Sequence, residues 1–144
     1  MYGSYIFTER GSEGITMGVT NAMYGYGFLY DDPMKPYQME GFVNSPGAVK
    51  GLEVYKELYK FCQPPGLTNA YMQEGLDAFK SGQVALQMNW FAFFPGLYKD
   101  EKVGGEHIGF FVNPPEMEHG SQLGWQGISV VSYSPNKEIG RAHV

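Results

Sequence analysis

The sequence predicts an α/β fold, and three observations support this prediction. Short apolar stretches with a strand pattern, at residues 2–7, 83–90, 107–115 and 125–133, alternate with stretches of helical spacing. Clusters of Gly and Pro separate these stretches, as is typical of turns between elements. The chain has 144 residues, of which 43% are hydrophobic, so it can bury a core of ordinary size.

The first predicted strand, residues 2–7, leads through the polar, glycine-rich loop 8–14 into a helix that we expect from Ile15 to Tyr30. Glycines within this helix weaken it, since each costs about 1 kcal/mol relative to Ala. The clearest helix follows at residues 45–62, where Ser45 can cap the first turn and Pro46 suits the first helical position. Its apolar face comprises Val49, Leu52, Tyr55, Tyr59 and Cys62.

A further helix is predicted for residues 70–80, with Gly82 as its C-terminal stop. The strand 83–90 comes next and ends in a dense aromatic cluster. Four rings lie within five positions there, and they belong to Trp90, Phe91, Phe93 and Phe94. We expect Phe93 and Phe94 to form the core of a short helix, with contact to the ligand as the alternative.

Composition and motifs exclude several classes of function. The net charge of −5 argues against a nucleic-acid binder, which needs clustered Lys and Arg. The single Cys62 forbids an internal disulfide. No nucleophile elbow, phosphate loop or dinucleotide fingerprint occurs, so we predict no cofactor. We also predict no metal site, because the spacing of His107, Glu116, Glu118 and His119 fits a solvated acidic loop better than a zinc centre.

The last six residues, 139–144, are expected to be foreign to the fold. The letters IGRAHV are the in-frame translation of a sequencing-library adaptor, which indicates a read-through scar, whereas the alternative is an ordinary helix start. A scar would make the chain a fragment of a longer protein. We expect such a fragment neither to fold robustly nor to bind a ligand tightly by itself.

Four stretches follow one another in an order that resembles a known family. They are NSPGAVKGLEVYKELYKF, NAYMQEGLDAFKSGQVALQMNWFAFFPGL, HIGFFVNPP and LGWQGISVVSYSPNKE. Together they resemble the extracellular solute-binding proteins of sugar-type ABC importers, over residues 2–138. No single stretch is diagnostic, and the ordered combination carries the resemblance.

The resemblance implies a periplasmic-binding-protein-like fold of type II, in which two α/β lobes hold the ligand in a cleft. Residues 1–117 would form part of the second lobe, and residues 118–138 a return crossing toward the first. It implies a protein that is not an enzyme and is a monomer at full length, periplasmic or extracellular, with or without a lipid anchor. Its partners would be a small-molecule carbohydrate and the permease subunits of the importer, with no nucleic acid, cofactor or metal.

Two aromatic positions are candidate ligand contacts, because a ring can pack on the C–H face of a sugar while polar groups take its hydroxyls. Trp90 stands where the resemblance implies a cleft aromatic, with Asn89 beside it, although a place in the core is the alternative. Trp125 and Gln126 would line the other side of the cleft. For Trp125 too, the alternative is a place in the core.

The loop after the first strand supplies the remaining candidates, Glu9, Arg10 and Glu13. Ligands of open α/β sheets bind outside the carboxyl ends of the strands, where these side chains could grip hydroxyls through charge-assisted hydrogen bonds. The alternative is a solvated surface loop. A glycoside-hydrolase-like, carbohydrate-active enzyme with the same cleft is the alternative function. We predict no catalytic residue, because nothing distinguishes an acid from a nucleophile among the carboxylates.

Overall fold

The computed structural model describes residues 1–11 and 13–112, together with Tyr133, Pro135 and Glu138. These residues mix helices with two parallel strands. In chain order the elements are β1 (Tyr2–Tyr5), α1 (Gly14–Tyr24), α2 (Pro46–Glu57), α3 (Met72–Lys80), β2 (Val84–Gln87) and α4 (Phe94–Tyr98). A π-helical turn, Leu58–Cys62, continues α2, and 3₁₀ turns occupy Phe91–Phe93 and Gly105–His107.

Several predictions fall on parts of the chain that the structure does not describe. The predicted strand 125–133 and crossing 118–138 lie outside the described residues, apart from the three single positions, and so do residues 139–144. The two-lobe architecture stays a prediction. None of the helices in the described ranges is long and apolar enough to cross a membrane.

The two strands pair in parallel, with Tyr2 opposite Val84, Ser4 opposite Leu86 and Tyr5 opposite Gln87. Parallel strands need a long crossover connection, and α1, α2 and α3 lie between these two in the chain. Because the strands run in the same direction, their C-terminal ends meet at one edge of the sheet. We call this edge the carboxyl edge.

Beyond Tyr5 the backbone is tied to Gln63 instead of to another strand. The side-chain oxygen of Gln63 accepts from the Ile6 N–H at 2.8 Å, and its Nε2 donates to the carbonyls of Ile6 at 3.1 Å and Leu67 at 2.8 Å. Gln63 is buried. Buried backbone groups need partners, and this one side chain satisfies both backbone groups of Ile6.

Thr8 and Glu9 are hydrogen-bonded to the same region of the chain. The N–H groups of Thr8 and Glu9 both donate to the carbonyl of Ala70, at 3.0 and 3.1 Å. The Thr8 hydroxyl accepts from the Ala70 N–H at 3.0 Å and donates to the Leu67 carbonyl at 2.8 Å. Residues 6–9, which we call the tethered segment, are therefore fixed against residues 63–70.

Two buried clusters stabilise these elements. The first core comprises Tyr5, Phe7, Met17, Ala70, Ala78 and Val84, and half-buried residues such as Tyr71 and Trp90 pack against it. The second core comprises Met23, Phe28 and Ala48. Within the first, the rings of Tyr5 and Phe7 meet edge to face with centroids 5.8 Å apart, a favoured arrangement of aromatic pairs.

The helix at Ser45 is confirmed, but the side that it buries differs from the predicted one. The Ser45 hydroxyl accepts from the Ala48 N–H at 3.1 Å, as expected for a cap. Of the predicted face, Tyr55 is buried, whereas Val49 and Leu52 are exposed. α1 approaches so closely that a β-carbon on Gly51 would lie 2.5 Å from Met23 Cα, so the small residues of α2 face α1.

The predicted end of α1 and the predicted strand 107–115 were both wrong. α1 ends at Tyr24 and not at Tyr30, because Gly25 caps it and Gly27 turns the chain with a φ of +74°. The stretch predicted as strand 107–115 begins with the end of a 3₁₀ turn, and residues 108–112 form no strand. Ile108 has extended dihedrals, but no strand among the described residues pairs with it.

The predicted stop of the helix before β2 is confirmed at Gly82, which has a φ of +72°.

Replacing Gln63 with Leu is expected to lower the free energy of unfolding by roughly 2–4 kcal/mol, because it leaves both backbone groups of the buried Ile6 without their partner. Urea unfolding measures the change. The matched control is Gln73→Leu, on the exposed side of α3, where a change within about 0.5 kcal/mol is expected. Equal effects of the two substitutions would contradict the role of Gln63.

Stability is also expected to fall at alkaline pH, because buried tyrosines keep their protons longer in the folded chain than in the unfolded one. Burial, followed by repulsion from Tyr59, raises the pKa of Tyr55 from 10.0 to about 12, while its hydroxyl donates to the Phe7 carbonyl at 2.7 Å. A pKa raised by folding contributes stability that is complete below the unfolded value of 10.0 and lost as the pH approaches 12.

The melting temperature from about pH 9 to about pH 12 tests this point. Tyr55→Phe should flatten the decline, while Tyr98→Phe on the exposed part of α4 should leave it unchanged. Profiles of the same slope for Tyr55→Phe and the unsubstituted chain would show that Tyr55 does not contribute to the loss.

Candidate functional site

The topology places both groups of described candidate residues at the carboxyl edge. Glu9, Arg10 and Glu13 follow β1, and Asn89 and Trp90 follow β2. Since the strands are parallel, both connections leave the sheet on the same side. The other two candidates, Trp125 and Gln126, lie outside the described residues.

The loop after β1 is anchored along its length. The Arg10 N–H donates to Asn69 Oδ1 at 2.9 Å, and the Glu9 carbonyl accepts from the Ile15 N–H at 2.8 Å. One carboxylate oxygen of Glu9 also accepts from the Gly11 N–H at 2.5 Å. These bonds hold Glu9 half-buried and leave Arg10 exposed at the rim.

Glu13 makes a contact that joins the loop to the other side of the site. It lies just before α1, yet its carboxylate does not cap the helix. Instead, Glu13 Oε1 accepts a hydrogen bond from the hydroxyl of Tyr71 at 2.5 Å. This charge-assisted bond links the loop after β1 to the residue that precedes α3.

Tyr71 is itself fixed at three further points. Its ring lies against Phe7 with centroids 5.5 Å apart, and its N–H donates to a carboxylate oxygen of Glu74 at 3.0 Å. The buried Tyr5 donates its hydroxyl hydrogen to the Tyr71 carbonyl. The position of the Tyr71 hydroxyl therefore depends on the first core.

Burial and the neighbouring carboxylates raise the pKa of the Tyr71 hydroxyl. Burial, then the hydrogen bond with Glu13, and then the negative charges of Glu13 and Glu9 raise the pKa of Tyr71 to about 12. At neutral pH the hydroxyl is therefore a donor, and Glu13 accepts from it.

Gly14 makes the close packing of these side chains feasible. A β-carbon at this position would lie 2.7 Å from Glu9 Cβ and 3.1 Å from Tyr71 Cδ2. Any larger residue would displace the Glu9 side chain or the Tyr71 ring. The start of α1 thus leaves room for both.

At the end of β2, Trp90 is half-buried and packs against the first core. Its contact with the core is shown, and its predicted contact with a ligand stays a prediction. Asn89 turns toward its own chain, since its Oδ1 accepts from the Trp90 N–H at 2.9 Å and its Nδ2 donates to Gln87 Oε1 at 3.3 Å. An amide in this arrangement retains a second N–H and a second lone pair.

The neighbouring rings of Phe91, Phe93 and Phe94 differ in their contacts and exposure. Phe93 and Phe94 are half-buried, and Phe94 stacks on Phe110 with centroids 4.4 Å apart. Phe91 is 74% exposed. The prediction that Phe93 and Phe94 form a helical core therefore holds only in part, because the short α4 buries Leu97 instead.

Sequence reasoning missed Tyr71 and Asn69, which hold Glu13 and Arg10 in place. Neither residue falls in a motif, and both act through tertiary contacts some 60 residues away in the chain, at separations of 58 and 59. In the described ranges no three His, Cys, Asp or Glu side chains lie close enough together to hold a metal ion. His107 is exposed, and Glu116, Glu118 and His119 lie outside those ranges.

The arrangement combines half-buried aromatic surface with acceptors and donors at one edge of a sheet. Such a combination suits a polar ligand that also presents an apolar face. Comparison with protein-family models, with curated proteins and with solved structures finds no match for this chain.

Proposed function

We propose that this protein is the substrate-binding component of an ABC importer, which captures a sugar or related polyol and delivers it to the membrane permease. One observation supports the proposal above the others. The half-buried rings of Trp90 and Tyr71 pack against the first core, while Glu9, Arg10 and Glu13 lie on the loop after β1, where Glu13 bonds to Tyr71.

The chemistry of a sugar matches these groups. Its C–H face can pack on the accessible part of the Trp90 ring without needing hydrogen bonds from it. Its hydroxyls can donate to the carboxylates of Glu9 and Glu13 and accept from Arg10. Hydrogen bonds that involve a charged partner each contribute about 1.5–3 kcal/mol, enough to select one arrangement of hydroxyls.

In this proposal the carboxyl edge forms one wall of a cleft, and a second lobe supplies the other wall. Ligand that contacts both walls favours the closed form, and the closed form binds the permease. Periplasmic or extracellular location is part of the same proposal.

A thermal-shift screen of the two-lobe protein against a library of sugars and polyols tests the function. A ligand at about 100 times its Kd stabilises the folded state by about 2.7 kcal/mol, so at least one sugar should raise the melting temperature by several degrees. Mass spectrometry of the same mixture should recover the sugar unchanged. Its depletion with time would support the carbohydrate-active enzyme instead, and the absence of any shift would contradict sugar binding.

Trp90→Ala in the two-lobe protein is expected to weaken binding of that sugar by about 1–3 kcal/mol, or roughly 5- to 150-fold, because it removes an aromatic anchor. Titration calorimetry measures the change. The control is Phe61→Ala, which removes a ring that is 69% exposed in the π-helical turn after α2. Unchanged affinity together with lower stability in Trp90→Ala would show that this ring serves only the core.

A further inference from the structure

The bond between Tyr71 and Glu13 joins the loop after β1 to the residue before α3, and it also fixes the Glu13 carboxylate. Glu13 is exposed, its carboxylate does not cap α1, and the ring of Tyr71 is already packed on Phe7. The backbone of Tyr71 is anchored separately, through Glu74 and Tyr5. The hydroxyl, which also lies 3.9 Å from Met17 Sδ, therefore holds the carboxylate of an exposed glutamate in one position.

An exposed glutamate pays an entropic cost whenever a ligand immobilises it, because its side chain has three rotatable bonds. A donor that already holds one carboxylate oxygen removes much of this cost before the ligand arrives. A carboxylate has about four lone-pair sites, so accepting from Tyr71 at 2.5 Å leaves further acceptor capacity for ligand hydroxyls. The Tyr71 hydroxyl donates to Glu13, and the Tyr71 ring packs against the first core.

We propose that Tyr71 is a positioning residue, which orients the Glu13 carboxylate to accept hydroxyl hydrogen bonds from the ligand. This inference rests on the proposed sugar-binding function and extends it to a residue that makes its contribution through Glu13. Both Glu9 and the Tyr71 ring lie beside Gly14, at the start of α1.

A double-mutant cycle in the two-lobe protein tests the inference, with the sugar that gives the largest thermal shift as the probe. Tyr71→Phe keeps the ring and removes only the hydroxyl, and we expect it to weaken binding by about 5- to 30-fold. Glu13→Ala should weaken binding at least as much. When Glu13→Ala is already present, adding Tyr71→Phe should change the affinity by less than about 2-fold.

The cycle shows whether Tyr71 acts through Glu13. An effect of Tyr71→Phe that does not pass through Glu13 would persist in the Glu13→Ala background, so additive losses would overturn the inference. If the bond served only to hold the fold, both single variants would have a lower melting temperature without ligand, and this result would also overturn the inference. Unchanged affinity in Tyr71→Phe, or in Glu13→Ala, would overturn it as well, while sugar binding itself would stand. Tyr98→Phe, on the exposed part of α4, is the control and should bind like the unsubstituted protein.

If the unsubstituted two-lobe protein binds no sugar, the proposed function fails, and this inference fails with it. That result differs from a failure of the positioning role alone, in which the unsubstituted protein binds and Tyr71→Phe binds equally well. Glu13→Ala changes only an exposed side chain without a capping bond, so it remains informative even if Tyr71→Phe were to fold poorly.

Discussion

The hydrogen bonds of Gln63 to both backbone groups of Ile6 are the constraint on which the rest of the site depends. β1 ends at Tyr5, and its backbone continues into a region where no neighbouring strand in the described ranges receives it. A buried side chain takes over the partners that a strand would supply. Because Gln63 and Thr8 fix the tethered segment, the loop that carries Glu9, Arg10 and Glu13 leaves the sheet from a defined point.

Tyrosine hydroxyls connect this constraint to the helices. Tyr5 donates to the carbonyl of Tyr71, Tyr55 donates to the carbonyl of Phe7, and Tyr71 donates to Glu13. Each bond joins residues that are distant in the chain, so each closes a long loop around the first core. A tyrosine combines a large apolar ring with a polar tip, which allows one residue to pack in the core and to hold a backbone or carboxylate group at its rim.

The sequence predicted best those features that depend on neighbouring residues. The cap at Ser45, the stop at Gly82 and the strand at Val84 follow from local chemistry, and the structure confirms each of them. The buried side of α2 could not be read from periodicity. Its smallest residues, among them Gly51, allow α1 to approach, and that contact overrides the larger Val49 and Leu52.

The same difference between local patterns and long-range contacts applies to the candidate site. Glu9, Arg10 and Glu13 are predicted as site residues because ligands of α/β sheets bind outside the strand ends, and Trp90 because of the family resemblance; their role in binding stays a prediction. Tyr71 and Asn69 were missed because their roles arise from pairing across 58 and 59 residues, which no local pattern encodes. The end of α1 was misplaced for a different reason. Its apolar spacing continues to Tyr30, but Gly25 and Gly27 end the helix first.

The most direct test of the central claim is to map where the ligand binds. Amide and indole resonances of the protein can be followed while the best sugar from the screen is added. The account predicts that shifts concentrate at residues 9–13, 69–71 and 89–90, with the indole of Trp90 among the largest. Shifts confined instead to the open groove of α2 and the π-helical turn, around Tyr59 and Phe61, would contradict a site at the carboxyl edge.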